Sequence, residues 1–326
     1  MTEFGIAHIE AAARRIAGRA VRTPVLASPM LDEAAGCRVF VKAESLQRTG
    51  SFKFRGALNR LLTLDAQERR RGVITYSAGN HGHAIAAAAR EVGCPAVIVL
   101  PDTAPANKVR NCRWWGAETV FYDPATQDRE EVARAVAEPR GLMLVPPFDD
   151  FDVMGGQGTA GLEFAEQLAE RDVRPDAFLV CCSGGGLASG ASAAMRARFP
   201  ELACHVVEPV GLDKMARSLA SGVPEAKPRE PATVMDGIAG PMAGARPLAV
   251  LSRLGATGLT VTDAQALGAM AAAFRFLKLV LEPGGAAALA AALSHGERFS
   301  DKTLAVVCTG GNVDETVFAR ALSHVP

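Results

Sequence analysis

The chain has 326 residues, 49% of them hydrophobic, and its 35 lysines and arginines are matched by 35 aspartates and glutamates, for a formal net charge of zero. That length and apolar content suffice for a substantial core and predict two domains, while the balanced charge argues against nucleic acid or another polyanion as partner. No charge-free apolar run reaches the roughly 18 residues of a membrane span, and the N-terminus shows no signal-peptide core.

In chain order, the first informative segment is Gly50-Ser51-Phe52-Lys53-Phe54-Arg55-Gly56-Ala57, at the expected start of a helix. It sets one lysine between two aromatics among small residues. Desolvation there lowers an amine's pKa and frees its lone pair to attack an aldehyde. The same residues also suit a solvated basic stretch with buried phenylalanines. Val73-Ile74-Thr75-Tyr76 reads as a strand, followed by Ser77-Ala78-Gly79-Asn80-His81-Gly82 and a helical run from Ala84 to Arg90. Ser77, Asn80 and His81 at that helix start can hold a carboxylate by neutral hydrogen bonds, helped by the helix dipole. Taken alone, His81 suits an N-cap or core histidine.

Apolar strands such as Val97-Ile98-Val99-Leu100 alternate with Ala-rich helical stretches such as Ala264 to Phe276, the pattern of an α/β protein with mainly parallel sheets. The apolar run Ala177-Phe178-Leu179-Val180-Cys181-Cys182 leads into Ser183-Gly184-Gly185-Gly186-Leu187 and an Ala-rich segment, reading as strand, glycine loop and helix. Successive glycines let backbone N–H groups converge on an anion. Without a Walker lysine or the G-x-G-x-x-G spacing, a lone phosphate is expected; a tight turn is the plainer alternative. The stretch from Gly222 to Pro231, rich in proline and charge, reads as a surface loop. Near the end, Thr303-Leu304-Ala305-Val306-Val307 runs into Cys308-Thr309-Gly310-Gly311-Asn312, which places a hydroxyl at a strand's carboxyl end but is also ordinary turn chemistry. The seven cysteines show no metal-site spacing and read as small buried hydrophobes in a reducing cytoplasm.

Taken together, these segments, with Gly155-Gly156-Gln157-Gly158-Thr159 and Glu282-Pro283, resemble the fold-type-II pyridoxal-phosphate enzymes, and within them the threonine/serine dehydratases (ammonia-lyases) and serine racemases. The resemblance runs in order from about Thr23 to Val313. It implies two three-layer αβα domains of the tryptophan synthase β-like type: residues 1–47 and 147–326 as the large cofactor-binding domain, and 48–146 as a small domain closing over the substrate. It implies that Lys53 forms the Schiff base with the cofactor aldehyde and later shuttles the α-proton, and that Phe52 flanks the ring. Asn80 would bond the phenolic oxygen, Ser183, Gly184, Gly185, Gly186 and Leu187 would hold the phosphate, and Thr309 would meet the pyridine nitrogen. Ser77, Asn80 and His81 would receive the substrate carboxylate, with Glu282 near the ring. A homodimer is favoured by the same resemblance. With the sequence ending soon after Asn312, the regulatory domain of the biosynthetic threonine dehydratases is not expected.

A hydroxyl at Thr309 does not enforce a protonated ring, which suits β-elimination. Racemisation needs an acid/base on both faces of the substrate carbanion, and the racemase branch carries a serine where this chain has Ala78. Racemases also tend to carry Asn at the position of Phe148, in Pro146-Pro147-Phe148-Asp149-Asp150. The resemblance therefore points to an ammonia-lyase acting on L-threonine or L-serine by default. Its alternatives are a serine racemase, a 3-hydroxyaspartate or phenylserine dehydratase, a β-replacing synthase and, from another class, a silent cofactor-binding protein, which would be expected to have lost Lys53. Many relatives bind a divalent cation, magnesium or calcium, through an acidic residue matching Glu208. The second ligand falls at Lys214, which cannot ligate while protonated. Asp213 after a one-residue shift, the Lys214 ammonium in place of the cation, or a solvated Asp-Lys pair remain open.

Overall fold

A computed structural model describes residues 3–77, 79–104, 106–228 and 232–323. Ten strands form two sheets: β1 (Val25–Leu26), β2 (Arg38–Ala43), β3 (Val73–Tyr76), β4 (Ala96–Pro101), β5 (Glu118–Tyr122), β6 (Met143–Leu144), β7 (Ala177–Cys181), β8 (Ala203–Pro209), β9 (Thr257–Val261) and β10 (Thr303–Cys308). The larger sheet runs β1-β2-β10-β7-β8-β9, the smaller β5-β4-β3-β6. Every pairing is parallel except β1 with β2.

Helices cover both faces of each sheet, which is why the strands read as nearly unbroken apolar runs. Alternate residues of the large sheet face opposite ways. Leu179, Leu304 and Val306 pack toward the Ala-rich helix Pro283–Ser294, and Phe178, Val180 and Val307 toward the helices Phe151–Ala169 and Gly186–Arg198. In the small sheet Ile98 and Leu100 face the helices Lys53–Leu62 and Asn80–Val92, while Val97 and Val99 face the helix Arg129–Arg140.

The expected helix from Ala264 to Phe276 is a regular helix over Asp263–Ala272 that widens into a π-turn at Ala273–Leu277, ending at Lys278 with φ of 60°. In the Gly222–Pro231 stretch, Ala226 forms an isolated bridge with Met242; residues 229–231 lie outside the described residues.

Candidate active site

The loops after β3, β7 and β10 open onto one cleft of about 720 Å³, lined by Phe52, Lys53, Ser77, Asn80, His81, Ser183 to Leu187, Glu282 and Thr309. Chain segments far apart in sequence thus converge at the carboxyl ends of parallel strands, where open α/β sheets collect their ligands. Ala78 lies outside the described residues.

Lys53 is the first residue of its helix. The segment before it is pinned to the end of β10: the Phe52 N–H donates to the Thr309 carbonyl at 3.1 Å, and Ser51 bridges Gly310. The amine reaches into the cleft, donates to the Pro147 carbonyl at 2.7 Å and stands 5.2 Å from the Phe52 ring centre. Desolvation lowers its pKa to about 8, so a usable fraction is unprotonated near neutrality. Behind it, the fully buried Arg55 guanidinium binds Glu44 at 2.8 Å and Glu163 at 2.7 Å, and Lys42 reaches Glu163 at 2.9 Å. This network clamps the first turn of the lysine's helix.

The glycine loop follows β7. Gly185 adopts φ of 96°, and a Cβ there would lie 2.6 Å from the Met215 methyl, so only glycine fits. The first N–H groups of the helix Gly186–Arg198 have no acceptor within the helix and face the cleft with the loop, a setting for an anion. The Ser183 hydroxyl accepts the Gly240 N–H at 3.2 Å. Donors at one end of the cleft and a depressed amine beside them match a phosphorylated aldehyde.

At the start of the helix Asn80–Val92, the Asn80 amide donates to Glu282 Oε1 at 2.6 Å, and its oxygen accepts from Asn312 at 2.7 Å. Burial, opposed by the Asn80 hydrogen bond, pushes Glu282 up to about 7. His81 Nε2 lies 3.2 Å from the Val145 carbonyl, which fixes the proton on Nε2 and leaves buried Nδ1 with a lone pair and no partner. Burial, with the Lys53 charge adding, pushes its pKa down to about 3. The ring is therefore neutral, and His81 can serve a carboxylate through its backbone N–H at the helix start rather than through its imidazole. Thr309 Oγ1 lies 3.3 Å from the Cys181 sulfur, and burial raises that thiol to about 11, so this part of the cleft floor is uncharged.

Of the other lining residues, Phe148 and Gln157 stand in segments the sequence had singled out, whereas Lys108 and Arg129 do not. Phe148 packs its ring where a Cβ on Gly184 would stand, and Gln157 Oε1 is buried with no partner. Lys108 and Arg129 also line the cleft. The Arg129 guanidinium lies 5.5 Å from the ring centre of Tyr76, the residue before Ser77, and Lys108 is 3.8 Å from Asp236. No local motif marks either cation.

Glu208 and Asp213 do not line the cleft. The Glu208 carboxylate accepts the N–H groups of Met215 at 3.1 Å and Ala216 at 2.9 Å, and faces Lys214 Nζ at 3.4 Å. Asp213 stands at the N-cap of the helix Lys214–Ser221 with no side-chain capping bond. Among the described residues, no group of three or more His, Cys, Asp or Glu is placed to hold a metal ion. A divalent cation does not fit beside Glu208, because the fully buried Lys214 side chain fills that position.

Comparison with known proteins agrees with this geometry. A family model described as pyridoxal-phosphate dependent enzyme matches residues 16–310. The L-threo-3-hydroxyaspartate ammonia-lyase of Pseudomonas sp is 42% identical over 95% of this chain and 96% of its own. The serine racemase of Schizosaccharomyces pombe is 36% identical over 97% of this chain and 96% of its own. The crystal structure of the T.th. threonine deaminase superposes with a TM-score of 0.90 at 41% identity, covering 95% of this chain and 99% of that one. The Lys53 cleft, the glycine cradle and matches over nearly the whole chain lead to one conclusion: the protein belongs to the pyridoxal-phosphate-dependent enzymes of fold type II.

Proposed function

We propose that the protein is an ammonia-lyase that removes water from a 3-hydroxy amino acid, leaving a 2-oxo acid and ammonia, and that a substrate with a second carboxylate, L-threo-3-hydroxyaspartate, is preferred over L-threonine and L-serine. Bound in the cleft, the cofactor supplies a sink for the electrons released from the substrate Cα–H bond. Lys53 would hold the cofactor through Nζ, and the same nitrogen would take the Cα proton. Ser183 to Leu187 hold the phosphate, and Phe52 flanks the ring. Asn80 serves the phenolic oxygen and Thr309 the ring nitrogen, with Glu282 beside Asn80. Ser77 and the N–H groups of Asn80 and His81 hold the α-carboxylate.

The observation that carries the lyase reading is the pairing of a depressed amine at Lys53 with a neutral floor of Thr309 and Cys181. A neutral hydroxyl at Thr309 would not enforce a protonated ring. By the family resemblance, an alanine at 78, where the racemases carry serine, has no proton to give, which weighs against racemisation. The acidic substrate is supported by Arg129. Asp128, Arg129 and Glu130 all line the cleft; Asp128 is engaged as the helix cap and Glu130 by Arg134 and the Tyr76 hydroxyl, and Arg129 lies 5.5 Å from the Tyr76 ring centre as the cation of that segment. The 42%-identical Pseudomonas enzyme is named for that substrate.

Residues 48–146 are taken as the small domain whose closure excludes water, supported by the small sheet lying wholly within that span. Among the described residues no helix is long and apolar enough to cross a membrane. Seven buried free thiols support a reducing cytoplasm; assembly as a homodimer rests on the family resemblance.

The test is a substrate panel on purified enzyme with detection of oxaloacetate, 2-oxobutyrate and pyruvate. Arg129→Leu should lower kcat/KM for L-threo-3-hydroxyaspartate by about 10- to 100-fold, the size of a lost hydrogen bond to a charged group, and leave L-serine little changed. Faster turnover of L-threonine or L-serine than of L-threo-3-hydroxyaspartate by wild type removes the acidic-substrate reading alone. Absence of any 2-oxo acid removes the lyase reading.

A further inference from the structure

Lys214 is a lysine buried to 0% side-chain exposure, outside the cleft, against an equally buried Glu208. Placing two charges out of water is costly, and such pairs persist where their geometry serves something else. Besides Glu208, the ammonium donates to the Ile238 carbonyl at 3.3 Å. Ile238 belongs to the segment Asp236 to Gly240, which lines the cleft, and the N–H of Gly240 is the donor held by the Ser183 hydroxyl. The next residue along the helix, Met215, packs its methyl against Gly185. The helix Lys214–Ser221 therefore backs the glycine loop, and its lysine ties that helix and the end of β8 to the segment that fixes Ser183.

The structure assigns the Lys214 ammonium as a built-in cation, standing where a divalent metal would stand and positioning the 236–240 segment and, through it, Ser183. It replaces an exchangeable ion by one that cannot dissociate, so the phosphate cradle is held without metal. Glu208 is its anchor: two backbone N–H groups fix the carboxylate, and Oε1, which accepts from Met215, also accepts from the ammonium. The assignment makes Lys214 a positioning residue and rests on the proposed phosphate role of the Ser183 loop.

The experiment measures pyridoxal 5'-phosphate affinity by absorbance and fluorescence titration, and thermal midpoint, with EDTA or with added magnesium or calcium. Wild type should give the same affinity and midpoint under all three conditions. Lys214→Met should weaken cofactor binding by about 10- to 100-fold, as expected for a lost hydrogen bond from a charged donor. Because that variant leaves Glu208 buried without its partner, Glu208→Gln with Lys214→Met gives a neutral pair that should fold yet bind the cofactor weakly. Lys214→Asp should bind weakly in EDTA and recover with magnesium or calcium but not with sodium, a rescue that a merely space-filling lysine would not produce. Cation-dependent affinity in wild type, or full affinity in the neutral double variant, overturns the assignment. Ser183→Ala checks the loop separately: unchanged affinity there removes the loop's phosphate role, while the cation assignment is still decided by the midpoint of Lys214→Asp with and without calcium.

Discussion

Glu282 and Asn80 lie 202 positions apart in the chain and meet through a 2.6 Å hydrogen bond inside the cleft, tying the start of the helix Asn80–Val92 to the residue that caps the helix Pro283–Ser294. The bond joins the two halves of the candidate site. It also keeps a carboxyl out of water.

Burial raises Glu282 from an ordinary 4.5 to about 7, so the folded state holds its proton more tightly than the unfolded chain. Its contribution to stability is therefore most favourable below about 4.5, and is lost as pH rises toward about 7. Cofactor-free Glu282→Gln should show a flatter thermal midpoint across that window than cofactor-free wild type. Parallel curves for the two proteins would show that the residue does not titrate there.

Lys53, lowered to about 8 by desolvation, should react with the cofactor aldehyde faster as pH rises through that value, because the free amine is the nucleophile. Mixing cofactor-free protein with pyridoxal 5'-phosphate at a series of pH values and following the absorbance change measures this. Lys53→Ala should retain some phosphate-dependent binding but lose borohydride-stable labelling and all turnover. A label on another lysine, found by peptide mass spectrometry, would displace Lys53 from the proposed role.

Arg55 satisfies two carboxylates in a site where neither it nor Glu44 touches water. Arg55→Leu leaves the buried Glu44 carboxylate with the Thr23 hydroxyl but no cation, and should cost about 3–5 kcal/mol of folding stability. Denaturant unfolding of the two proteins is the check, and a difference under about 1 kcal/mol would mean that rearrangement or water compensates.

Position 78 carries a methyl group where the racemase branch carries a serine hydroxyl. Wild type given L-serine should make pyruvate with little D-serine, and Ala78→Ser should raise the ratio of D-serine to pyruvate. Orientation limits how far a single hydroxyl can go. Chiral chromatography decides, and D-serine formed by wild type at a rate comparable with pyruvate would favour the racemase reading.

The strand ends that build the site were legible because their chemistry is local: an apolar run followed by Ser-Gly-Gly-Gly or Thr-Gly-Gly-Asn can be read within ten or so residues. Lys53 was legible for the same reason. Arg129, Lys108 and Pro147 were not, since they reach the cleft only through the packing of separate loops. Glu208 shows the limit from the other side. Three arrangements of Asp213 and Lys214 fitted the sequence equally, and what separates them is that Lys214 opens a helix whose N–H groups already hold the carboxylate. His81 was placed in the site by its motif, but its tautomer follows from the Val145 carbonyl, which no local pattern announces.

The position of β10 between β2 and β7 has a consequence for how the protein is made. The small sheet closes among near neighbours and can form while synthesis continues, whereas the large sheet remains two pieces with open edges until its last strand emerges and inserts. Lys53 gains its setting only then, because the segment before it is fastened to Thr309, Gly310 and Gly311. An unfinished chain would thus lack the positioned amine that the proposed attachment at Lys53 requires, and cofactor capture would mark a completed molecule.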